Sequence, residues 1–174
     1  GSLTSNMNMV GLDVSLVGEL LKIMHLSKEK LQLVNKFRAS RYKSSLKLLD
    51  IFNMNSGLIA EALVLNKKAV SKLNNVLSKL DGEILKKKQN LVPNGDNLKI
   101  NDSIACLEVL KSTNKLHVYS ALLILYRRVI MIPRDSEIAQ KFSTEILNLS
   151  FELPKKLDFI SSSSSSLNNS VATM

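Results

Sequence analysis

The sequence predicts an all-α protein of about six helices, packed as two three-helix units with no β-sheet. Three observations carry that expectation. The stretch 115–132, KLHVYSALLILYRRVIMI, repeats Val118, Ala121, Leu122, Leu125, Val129 and Ile132 at helical spacing, while Leu123, Ile124 and Ile130 widen the stripe. A helix apolar over most of its circumference must be wrapped by other helices or lie at an interface. The run 58–88 keeps a heptad-like stripe through Ile59, Ala62, Leu63, Ala69, Val70, Leu73, Val76, Leu77, Leu80 and Ile84. Finally, no segment alternates with period two over a convincing length, and 6 Gly and 3 Pro leave few breaks.

Taken in order, residues 1–9 are polar and Met/Asn-rich and read as a disordered lead; Gly1-Ser2 resembles a tag-cleavage scar. A first helical unit spans 10–90. Asp13 is a suitable N-cap for a helix over 13–24 that buries Val14, Val17, Leu20, Leu21 and Met24. Ser27 can cap the next, over 27–52, with Leu31, Val34, Phe37, Tyr42, Leu46, Leu49 and Phe52 as its stripe. Asn53 to Gly57 supplies a turn, and the long stripe follows, ended by Lys86, Lys87 and Lys88, where cations complement the dipole. Gly82 is a candidate interruption.

The linker is 91–101, centred on Pro93-Asn94-Gly95-Asp96, strong turn chemistry. A second unit spans 102–160: a short helix over 104–111 capped by Asp102 or Ser103, a break at Ser112-Thr113-Asn114, the central helix ended by Pro133, and a last helix begun at Asp135 or Ser136 and stopped by Pro154. Residues 161–174 are Ser-rich and too polar to offset their chain entropy by burial, so they read as a disordered tail.

Charge narrows the partners. Lys and Arg number 24 against 15 Asp and Glu, a net +9 that favours anionic partners such as a phosphate backbone, an anionic membrane or an acidic peptide. Cys106, the single cysteine, sits in an apolar run and reads as a core residue. No apolar run reaches the roughly 20 residues needed to span a bilayer. With no signal-like segment, the expectation is a cytoplasmic protein, the nucleus being left open.

Two stretches share one frame. From Tyr119, apolar or aromatic residues follow at Leu122, Leu125, Tyr126, Val129 and Ile130; from Ile59 the same spacing gives Ala62, Leu65, Asn66, Ala69 and Val70. The frame resembles the second helix of MIT (microtubule-interacting and trafficking) domains, Tyr-x-x-Ala-Leu-x-Leu-Tyr-x-x-Ala-Ile. Asn66 departs from its tyrosine and Val129 from its alanine. The resemblance implies a tandem three-helix module, as in the C-terminal region of autophagy-initiating kinases, that binds short amphipathic segments of partner proteins between helices. It places the partner contact on Ala62, Leu65 and Ala69 of one frame and Leu122, Tyr126 and Val129 of the other. Lys67, Lys68, Arg127 and Arg128 stand beside them for acidic flanks. The bland alternative is that the small and apolar residues pack inside the domain.

Other chemistry has little support. His25 and His117 have no Cys or His at ligand spacing, carboxylates are scattered, and phosphate loops and nucleophile elbows are absent. No enzyme activity, metal or cofactor is therefore expected. The competing surface is basic: residues 27–47 hold seven cations and one acid around Phe37 and Tyr42. Lys36, Lys43 and Lys47 share one helical face and Arg38 and Arg41 another, a pattern suited to an anionic membrane, with nucleic acid less favoured. A structural homodimer seamed along 58–88 is the remaining alternative.

Overall fold

The computed structural model describes residues 11–40 and 45–172, with side chains described over 11–39 and 47–160. The chain is all-α, but the described residues form four helices rather than about six, and not two three-helix units. Helix α1 covers Val14–Ser40 and α2 covers Ser45–Gln89. Helix α3 runs Leu98–Ile124 and continues as a π-helix, Leu125–Ile130; α4 covers Glu137–Ala172. No described residue forms a strand.

Each discrepancy in helix count has a local cause. Ser27 caps nothing because the buried stripe Leu16, Leu20, Ile23, Leu26, Leu33 runs straight past it. Asn53 to Gly57 makes no turn: the side chain of Asn55 accepts from Lys30 on α1 instead of closing on its own backbone, and Gly57 sits in open space where its cost is modest. The break expected at Ser112-Thr113-Asn114 is likewise absent. Asn114, 2% exposed, spends its side chain on the start of α1. Its Oδ1 accepts from the Asp13 N–H at 2.9 Å, while its Nδ2 donates to the Gly11 and Leu110 carbonyls at 3.0 and 2.7 Å. Helix α4 passes through Pro154 and continues over the serine run to Ala172. The 1–9 lead lies outside the described residues.

Where the expected signals hold, they hold for the expected reason. Asp13 caps α1 by accepting from the N–H and hydroxyl of Ser15, at 2.9 and 2.6 Å; the hydroxyl bond, first, and the backbone bond hold its carboxyl below the ordinary 3.8. The α2–α3 connection turns on Asn94, at φ 63°, and is clasped by Asn97, whose side chain bonds both the N–H and the carbonyl of Val92 at 2.9 Å. Pro133 follows the end of the π-helix, where Met131 takes the left-handed conformation at φ 66°.

One core joins the first three helices. Leu16, Leu20, Ile23 and Leu26 of α1 meet Ala62, Leu65, Ala69, Leu73 and Val76 of α2 and Val118, Leu122, Leu125 and Val129 of the α3–π segment. Lys72 on α2 pairs with Glu19 on α1 at 2.8 Å, and Lys111 on α3 pairs with Asp81 on α2 at 2.6 Å. These pairings run α1 up, α2 down and α3 up. Helix α4 packs on α3. Phe142 lies 5.8 Å from the Tyr119 ring and 5.7 Å from the Tyr126 ring, and Lys156 reaches Ser112 at 2.8 Å. Cys106 is exposed rather than core, because the same helix turns Leu107 inward.

Candidate functional site

The α1–α2 pair outlasts its third partner. Met24, Ser27 and Lys28 of α1 lie level with Ile124, Arg127 and Arg128, and there the α3–π segment ends. Beyond Met131, α1 continues to Ser40, and α2 comes back from Ser45. From Lys30 to its end at Ser40 α1 rises about 15 Å at roughly 1.5 Å per residue. The two helices bury Leu33 and Ile51 against each other, but nothing among the described residues continues the track of α3 along their flank.

A groove fills that track. It consists of two confluent hollows of about 200 and 580 Å³ that share Lys30, Val34 and Met131. The inner one is lined by Leu33, Phe37, Ile51, Phe52 and Asn55, and the outer by Met24, Leu31 and Ile124 with Lys28, Arg127 and Arg128. Phe52 is 65% exposed and Leu31 60%, apolar surface left to water at the groove. Among the described residues no carboxylate lines either hollow, and none pairs with Lys28, Lys30, Arg127 or Arg128. The groove is therefore apolar within and cationic at its rim.

The end of the groove against the α3–π segment is built unusually. The π-helix adds a residue per turn, and such segments occur mostly as short insertions at functional sites. Met131 closes it in a conformation a non-glycine residue adopts at a cost. The Met131 and Ile132 N–H groups both donate to the Tyr126 carbonyl. Arg127 Nη1 donates to the Ile132 carbonyl. Leu125 and Val129 are fully buried while Arg127 and Arg128 stay exposed at the groove.

The residues expected to make the partner contact separate into three places. Ala62, Leu65, Ala69, Leu122 and Val129 are buried in the protein's own core, so they cannot line an open groove; the frame they share is the spacing of inward-facing residues. Tyr126 turns to α4 and stacks on Phe142. Lys67 and Lys68 are exposed on α2, remote from the groove in sequence and register, with Lys68 close enough to Glu19 to favour its ionised form. Only Arg127 and Arg128 stand at the groove. The seam along 58–88 proposed for a dimer is likewise turned inward at Ala62, Ala69, Leu73 and Val76.

Of the basic set, Lys36 and Arg38 end α1 and Lys47 begins α2, all exposed at one end of the molecule; Arg41 and Lys43 lie outside the described residues. Sequence reasoning missed Lys30, Ile51, Phe52 and Asn55 as groove residues. Their signal was present in the apolar Phe37 and Phe52, but it was assigned to one helix instead of two facing ones.

Among the described residues no three His, Cys, Asp or Glu cluster to hold a metal. His117 is pushed below its ordinary 6.5 by burial alone. Comparisons of the chain with protein families, curated proteins and solved structures found no match.

Proposed function

We propose that this chain is a non-enzymatic interaction module whose groove receives an amphipathic, acidic helix from a partner protein. The observation that carries this reading is the groove: among the described residues, an apolar trough flanked by α1 and α2 beyond the end of the α3–π segment, rimmed by cations that no described carboxylate pairs. A helix laid there would cover Leu31, Val34, Phe37 and Phe52 with its apolar face, as helix-in-groove complexes do. Its acidic flanks would meet Lys28, Arg127 and Arg128, which favours fast, salt-sensitive association. The MIT-like frame supports the same class of activity by resemblance and extends it to partners in trafficking or autophagy assemblies.

The test is selection of binders from a displayed library of 16-residue helical peptides, followed by titration. Selected peptides should be amphipathic and acidic, and reversing both Arg127 and Arg128 to Glu should weaken them about tenfold or more at low salt. Failure to select any binder, or binders indifferent to the double reversal, would overturn the reading.

A second reading has its own observation. The α2 helix carries, within Lys47–Gln89, a stretch long and apolar enough to cross a membrane that is mostly unburied, and exposed Lys36, Arg38 and Lys47 stand near its start. That end would then rest on an anionic bilayer. Co-sedimentation with vesicles containing phosphatidylserine, lost with purely zwitterionic vesicles and with Lys36→Glu/Arg38→Glu, is the expected outcome; equal binding to both vesicle types, or none, would rule it out.

A further inference from the structure

Among the described groove residues, Lys30 is the buried lysine: it is 6% exposed, against the exposed Lys28 two positions before it. It lies where the two hollows meet, among Leu33, Val34, Phe37, Ile51 and Phe52. The ammonium has three hydrogens to donate, and its side-chain partner is the neutral Asn55 Oδ1. Asn55 cannot neutralise the charge. Burial accordingly pushes the lysine below its ordinary 10.5, with no acid to oppose the shift. Every other cation near it, Lys28, Arg127 and Arg128, carries the same sign. Glu29, its neighbour in sequence, lines a separate hollow and pairs with His25 at 3.1 Å.

A cation buried with an incomplete set of partners is costly, and proteins keep one where something else completes it. We infer that Lys30 is the specificity residue of the groove: its ammonium takes one Asp or Glu side chain from the apolar face of the docked helix, with Asn55 holding the lysine in place. This rests on the groove being a helix-binding site. The rim cations attract acidic segments in general, whereas Lys30 demands an acid at one register position, flanked by residues that fill the trough. An amide there would leave the charge unneutralised after water is excluded. Selectivity therefore comes from the penalty on the wrong residue as much as from the right pair.

The experiment uses the full chain and the same displayed library, selected in parallel against the wild type, Lys30→Met and Lys30→Arg. Lys30→Met removes a buried charge and keeps the volume, so it is expected to fold, and thermal melts check that it does. Wild-type binders should share one Asp or Glu at a fixed spacing from their apolar positions. Synthesised with Gln or Asn at that position, a binder should lose about 30-fold or more in affinity for the wild type. Lys30→Met should bind the two peptides alike, and Lys30→Arg should retain most of the discrimination. Wild-type binders with no fixed acid, or discrimination that survives in Lys30→Met, would overturn the role of Lys30 while leaving the groove intact. No enrichment by any of the three proteins would instead remove the groove reading itself.

Discussion

Asn114, 2% exposed, links α3 to the residues leading into α1 through two side-chain hydrogen bonds, to the Asp13 N–H and the Gly11 carbonyl, and makes a third within α3 to the Leu110 carbonyl. Asn114→Ala strands the Asp13 N–H and the Gly11 carbonyl, and should cost about 1–3 kcal/mol in denaturant unfolding. Asn114→Asp, which turns a buried carboxylate oxygen toward the Gly11 and Leu110 carbonyls, should cost more than Asn114→Ala at neutral pH. Glu19 governs the acid limb. Its side chain is almost wholly covered, and the Lys72 hydrogen bond, first, with the charges of Lys72, Lys22 and Lys68, holds its carboxyl below the ordinary 4.5 against the opposing effect of burial. A depressed folded pKa means that the unfolded chain binds the proton more readily. The pair's contribution is therefore complete above about pH 4.5 and lost as pH falls through the folded value. The fall in wild-type stability below pH 4.5 should be steeper than that of Glu19→Gln, read from melts across pH 3 to 7; parallel curves would refute the coupling.

At the scale of the helices, two glycines discriminate between a broken and a continuous α2. Gly57 and Gly82 have helical backbone, and a Cβ at either meets nothing within 4 Å. Gly57→Ala and Gly82→Ala should each stabilise the protein by about 0.5–1 kcal/mol, seen as a rise in midpoint denaturant concentration at constant slope. If Asn53 to Gly57 were a turn using a left-handed glycine, Gly57→Ala would destabilise instead. That region shows how far local signals reach. The inward stripes of α2 and α3 were legible, since Ala62, Ala69, Leu122 and Val129 keep the period that burial imposes. Helix continuity was not, because Asn55 and Asn114 spend their side chains on distant partners, and nothing local in the sequence reveals that choice. The groove was half legible: Arg127 and Arg128 stood out as charges in an apolar helix, but their neighbours depended on where α1 ends and α2 begins.

For the whole molecule, the packing divides into a shared core and a flank. Leu122 is fully buried where three helices converge, and Leu122→Ala should cost about 2–5 kcal/mol. Phe151, 70% exposed on α4, should be nearly neutral as Ala, within about 0.5 kcal/mol. Because the α3–π segment stops at Ile130 while its two partners continue, the molecule carries an apolar, cationic trough in place of the rest of a third helix. Mapping amide chemical-shift changes, as a selected acidic helical peptide is titrated into the full chain, tests that claim most directly. Changes concentrated at Lys30, Val34, Phe37, Ile51, Phe52, Asn55 and Met131 are the predicted result; changes centred on α4, or spread through the core with the groove untouched, would contradict it.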